Sequence, residues 1–152
     1  MYTSVPAQVA PPEQAFVEAA ADYAYTIQAE LLGYSPETIH RERVCHEVAK
    51  TMVTHMVEQG VDARQDGTAY HSYAAIPRPG QEDILADGTW QQFLPPKRLQ
   101  GDAVLPKVLV GTRAEVISAA HAYGVHEGDL GAWKAKDPEQ SNNLRIVVPP
   151  LD

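Results

Sequence analysis

With one cysteine in 152 residues, the chain cannot close an internal disulfide, and that thiol is either a small core residue or a reagent. Basic residues are also scarce. Twelve Lys and Arg against twenty Asp and Glu leave a formal charge of −8, which argues against nucleic acid or an anionic membrane as partner. No apolar run approaches the roughly 18 residues of a membrane-spanning helix. The first residues lack a basic stretch followed by an apolar one, so no secretory signal is expected and the cytoplasm is the simplest address. No internal repeat is visible. What remains is an ordinary soluble composition, 44% apolar, in a length that suits one domain able to bury a core without metal or disulfide.

Residues 1–12, with Pro6, Pro11 and Pro12 among small residues, are expected to form a flexible arm, and residues 13–152 a single domain. Over residues 13–32 the apolar positions Phe16, Ala20, Tyr23, Ile27 and Leu31 recur at helical spacing and stop at Gly33. Ser35 and Pro36 suit an N-cap and a first helical position. Residues 38–59 read either as one long helix or as two with a break near Arg41, Glu42 and Arg43. The stripe Val48, Met52, Val53, Met56 and Val57 is compatible with both, and Gly60 ends the helix. The choice matters because a helix N-terminus lowers a thiol's pKa and burial in mid-helix raises it.

After Gly60 the period changes to two. Residues 61–65 and 68–76 predict a hairpin turning at Asp66-Gly67, residues 77–81 a surface loop, residues 84–93 a third strand, and residues 107–110 a fourth. Thr112 and Glu115 form a capping-box pattern opening a helix that ends at Gly124. Beyond His126 the signals fade, apart from a short β-like run at residues 145–148. Helices, then strands, then a helix define an α+β fold with N-terminal helices packed on a mainly antiparallel sheet.

On this map Cys45 stands at or near the head of a helix, His71 shares a strand face with Tyr73 and Ala75, and Asp87 lies on the next strand. A helix packed on that face would bring Cys45 to the same edge. Nucleophile, base and orienting carboxylate follow in a workable order. His46 adjoins the thiol in sequence but points about 100° away on a helix, so it is not the base. Arg41 and Arg43 would favour a thiolate; otherwise they form a solvated face. Trp90, Phe93 and Leu94 read as core more than as a substrate platform, and Gln91 and Gln92 as solvated, unless one of them lines a cleft. His40, Cys45, His46 and His55 are possible metal ligands in a short span, but they lack the paired spacings of a structural zinc site, and no HExxH occurs. No metal or other cofactor is expected.

Cys45 with Ala49 down the same helix, Gly60-Val61-Asp62-Ala63-Arg64, His71-Ser72-Tyr73 and Asp87-Gly88-Thr89 together resemble the transglutaminase-like group of papain-type cysteine enzymes. The likeness covers about the middle third of the chain, and departs from the pattern in having no glycine before Cys45 and no tryptophan after it. The resemblance implies a transglutaminase-like core with Cys45 as nucleophile, His71 as base and Asp87 as orienter. It also implies amide, isopeptide or acyl-transfer chemistry on an amide- or acyl-bearing substrate, either protein or small molecule. Because no glutamine stands a few residues before Cys45, Gln28 is the candidate oxyanion donor, with Tyr73 and Trp90 as further substrate contacts. The alternative is a non-catalytic binding module on the same fold, whose acidic surface meets a basic partner.

Overall fold

A computed structural model describes residues 11–99 and 104–134. The expected arm at residues 1–10 and the β-like run at 145–148 lie outside the described residues. Helix α1, Pro11–Leu32, opens on the two prolines assigned above to the arm, whose missing N–H groups cost nothing in a first helical turn. A 3₁₀ turn, Ile39–Arg41, leads to α2, Cys45–Glu58. Strands β1, Arg64–Thr68, β2, His71–Arg78, β3, Gln81–Asp87, and β4, Leu109–Gly111, form one antiparallel sheet in sequence order. Between β3 and β4 come a 3₁₀ turn, Trp90–Phe93, and the short helix α3, Pro96–Leu99. Helix α4, Arg113–Tyr123, and a 3₁₀ segment, Glu127–Trp133, complete the described chain. The protein is α+β, and no helix among the described residues is long and apolar enough to cross a membrane.

The sheet separates two cores. Ala74, Ile84, Ala86 and Val110 face α1 and α2, meeting Val17, Ala20, Ala24, Val48, Met52 and Met56. The alternate residues Tyr73, Ala75, Leu85 and Leu109 face the other way, against Val116, Ala119, Trp90 and Trp133. Period-two alternation therefore decides which core each strand residue serves.

Several elements sit differently from the sequence expectation. On α1 the buried face is Val17, Ala20, Ala21, Ala24 and Ala29, while Tyr23 is 44% and Leu31 71% exposed. Small residues let α1 approach α2 closely, and that packing overrides the larger side chains one-third of a turn away. Ser35 does not restart an α-helix. Chain 38–59 is broken, with α2 beginning at Cys45. Ile39 and Val48 are both buried; in one continuous helix nine steps of about 100° would put them on opposite sides. The break allows both inside.

The hairpin turns at residues 69–70 instead of at Asp66-Gly67, which lies inside β1 with Gly67 at φ 145°. A Cβ there would stand 2.0 Å from the His71 carbonyl oxygen, so glycine is needed for the strands to meet. The loop expected at 77–81 is a tight turn at Gly80, with strand to either side. The third strand starts earlier than expected and ends at Asp87, where the chain turns to form the 3₁₀ turn. The Thr112 capping box and the left-handed Gly124 C-cap are as expected.

Candidate active site

Three structural accidents of the fold converge on Cys45. It is the first residue of α2, and its N-cap is Val44, a side chain that cannot accept a hydrogen bond. Val48 is the first residue to join the helical ladder, through Val44 O at 3.0 Å, which leaves the N–H groups of Cys45, His46 and Glu47 outside it. His71 is the first residue of β2, immediately after the 69–70 turn. Asp87 is the last residue of β3. Ala74 pairs with Ala86, so continuing that register sets Asp87 across from Tyr73 and diagonal to His71, on the same face.

His71 and Asp87 are fully buried. The His71 Nε2 to Asp87 Oδ2 distance is 2.5 Å. Asp87 takes two further donors, the Trp133 indole N–H on Oδ2 at 2.6 Å and the Thr89 backbone N–H on Oδ1 at 2.9 Å. Around the imidazole stand Phe93, edge-on at 4.9 Å between centroids, Trp133 at 5.6 Å and Tyr73 at 5.7 Å. This aromatic box keeps water from the His71–Asp87 pair. The Tyr73 hydroxyl accepts from Arg113 Nη1 at 2.8 Å, and burial pushes its pKa up to about 12 against the pull of Arg113.

With Nε2 committed to Asp87, Nδ1 is the ring nitrogen left for Cys45. It is buried and meets no partner in ordinary hydrogen-bond geometry, yet the ring and the thiol interact closely enough for each to move the other's pKa. Burial alone would raise the Cys45 pKa. Interaction with His71 and the Ser72 backbone outweighs burial and the opposing charge of Asp87, and the pKa falls below its ordinary 9.0. Burial likewise opposes a charged His71, but the Asp87 carboxylate, with help from Cys45, raises the ring to about 9. The arrangement shifts the pair toward a thiolate beside an imidazolium. Of the three side chains only the thiol is partly exposed.

The helix does not pack on the face that carries His71, as expected from sequence. It packs on the opposite face, and Cys45 reaches His71 around the end of the sheet, where the Ser72 backbone meets the thiol. Gln28 is tied to Thr51 Oγ1 at 2.9 Å. Thr51 is six residues along α2, about 9 Å from Cys45, so Gln28 is not placed as an oxyanion donor. Trp90 is buried and donates to Pro106 O at 2.9 Å, a core role. Gln91, expected in solvent, is buried on the same carbonyl at 2.9 Å. Arg41 acts on His40, whose pKa is lowered to about 4 mainly by burial, then by Lys107 and Arg41. His55 stacks on Tyr23. Among the described residues no three His, Cys, Asp or Glu side chains are grouped to hold a metal ion.

Two site residues escaped sequence reasoning. Trp133 falls where periodic signals fade, and its only mark is that it is one of two tryptophans in the chain. Gln65, read as a plain strand residue, donates to His46 O at 3.1 Å and so braces the backbone next to the thiol. No family model matches this chain, and no curated protein or solved structure matches it.

Proposed function

We propose that the protein is a cysteine-dependent acyl-transfer enzyme of the transglutaminase-like, papain-type kind, acting through a thioester on Cys45. The observation that carries this reading is the ordered set Cys45, His71, Asp87, in which only Cys45 is partly exposed and its thiol pKa is depressed. A structural cysteine in an apolar setting has its pKa raised instead.

In the first half-reaction the Cys45 thiolate attacks the carbonyl carbon of an amide or activated acyl group. Negative charge gathers on the carbonyl oxygen, and the N–H groups of Cys45 and His46, outside the ladder at the head of α2, are candidate donors to it. The His71 imidazolium gives its proton to the departing amine as the C–N bond breaks, leaving the thioester. In the second half, neutral His71 takes a proton from water or an amine as that acceptor attacks the thioester, and the C–S bond breaks to release the Cys45 thiolate beside the imidazolium. Asp87 holds the ring orientation and stabilises its charged form throughout. Hydrolysis, deamidation and transfer share the first half and differ only in the acceptor.

The test is intact-protein mass spectrometry after exposure to an activated acyl donor. We expect an adduct on Cys45 in the wild type, none in Cys45→Ala, and much slower formation in His71→Ala, because nucleophile and base act as a unit. Equal labelling of wild type and His71→Ala would overturn the mechanism and leave a non-catalytic binding module.

A further inference from the structure

Trp133 donates to the same carboxylate oxygen that His71 uses. The indole Nε1–H reaches Asp87 Oδ2 at 2.6 Å, beside His71 Nε2 at 2.5 Å. A tryptophan N–H does not ionise, so its claim on that oxygen is permanent whatever the state of His71. Its position is also fixed from behind: Arg113 Nη1 donates to the Trp133 carbonyl at 2.8 Å and to the Tyr73 hydroxyl at 2.8 Å, and Arg113 Nη2 lies 3.7 Å from Asp66 Oδ2. The last residue of a 3₁₀ segment, with α4 and β1 behind it, is therefore anchored onto the catalytic carboxylate.

We propose that Trp133 is a positioning residue that sets the basicity of His71, by sharing Asp87 Oδ2 and drawing off part of the negative charge that would otherwise hold the imidazolium. This inference rests on the acyl-transfer reading and adds to it the control of the upper pH limit, since the imidazolium is the proton donor to the leaving group. The ionisable or charged groups near the ring are Asp87 from β3, Cys45 from the head of α2, and Tyr73 from its own strand, with Arg113 of α4 and Asp66 of β1 behind Tyr73. None of these is altered by exchanging Trp133 for phenylalanine. The exchange keeps a ring against Phe93 and His71 and removes the donor together with part of the indole's volume.

The experiment follows the His71 ring by ¹⁵N NMR in the full chain, wild type and Trp133→Phe, across its titration. With the competing donor gone, the carboxylate bonds the imidazolium more strongly, and the midpoint should rise, with proton affinity increased by roughly threefold to tenfold. A midpoint that stays or falls in a folded variant overturns the proposal. The wild-type indole N–H supplies a second readout that does not depend on the variant folding. Its resonance should be protected from exchange and should move with the same midpoint as the His71 ring, because both bonds end on one oxygen. An indole resonance that exchanges freely or ignores that titration equally overturns the proposal. Neither readout uses acyl transfer, so loss of the acyl adduct in the wild type would defeat the enzymatic reading alone.

Discussion

Replacing Asp87 by asparagine exposes the logic of the site because the side chain keeps its shape and loses one acceptor. Asp87 receives three N–H groups, from Thr89, His71 and Trp133. An amide has one oxygen. Set at the Oδ2 position it preserves the His71 and Trp133 bonds and turns its NH₂ on the Thr89 N–H; set the other way it faces two donors. The better choice still leaves a buried donor unpaired, a cost of about 1–3 kcal/mol. The larger effect is on His71. Its elevation to about 9 depends chiefly on the Asp87 charge working against burial, so in Asp87→Asn the ring returns to 6.5 or below. At about pH 7.5 that change takes the protonated fraction from roughly 97% to roughly 10% or less. The Cys45 thiolate loses its partner with it. The assay is iodoacetamide labelling of Cys45, read by intact mass from about pH 5 to about pH 9.5. Wild type should label at a lower pH than an ordinary thiol does, while Asp87→Asn should need a pH closer to that of an ordinary thiol. Superimposable profiles would refute the claim that Asp87 sustains the ion pair.

Other outcomes follow from the same geometry. Gly67→Ala should destabilise the fold by at least about 1–3 kcal/mol, given its φ of 145° and the His71 carbonyl in the way, and should slow Cys45 labelling; a urea midpoint equal to wild type would contradict this. Tyr73→Phe removes one of the acceptors of Arg113 and should cost about 1 kcal/mol in urea unfolding, leaving the labelling profile in place. Stability against pH separates the two members of the pair. His71, raised from 6.5 to about 9, gives stability that is whole below 6.5 and is lost as pH rises through about 9. Cys45, lowered from 9.0, gives stability present above 9.0 and lost as pH falls through its folded value. Where both are ionised the slopes oppose, since folded and unfolded states hold one proton each, on nitrogen or on sulfur. Wild type should therefore lose less stability than Cys45→Ala as pH rises from about 6.5 to about 9; equal slopes in urea titrations would refute the pair.

The three side chains that meet at the candidate site were legible because the chemistry sought restricts residue type and order: one thiol, a histidine in a β-like run, an aspartate in the next. Their surroundings were less so. Whether Cys45 heads a helix turned on burying Ile39 and Val48 together, a tertiary demand that no glycine or proline announces. Asp66-Gly67 looks like a turn because glycine permits positive φ, but here that freedom serves close strand contact. On α1, Tyr23 and Leu31 match a helical period as well as Val17 and Ala24 do, and only the distance to α2 selects the smaller set. Gln28 has the right chemistry for an oxyanion donor and the wrong height on the helix. Trp133 acts across 46 residues of sequence, through a bond with no periodic signature.

The sheet divides the interior into two cores, and the site is assembled across that division. The sulfur belongs to α2 and moves with one layer, while the imidazole, its carboxylate and the indole belong to the other. The spacing between sulfur and ring nitrogen is thus a gauge of how the two layers are registered. A cavity opened well away from the site, at Leu109 beneath α4 or at Met52 beneath α1, would shift one layer against the other and be felt at the thiol. The labelling rate of a single cysteine can then report on packing throughout the molecule.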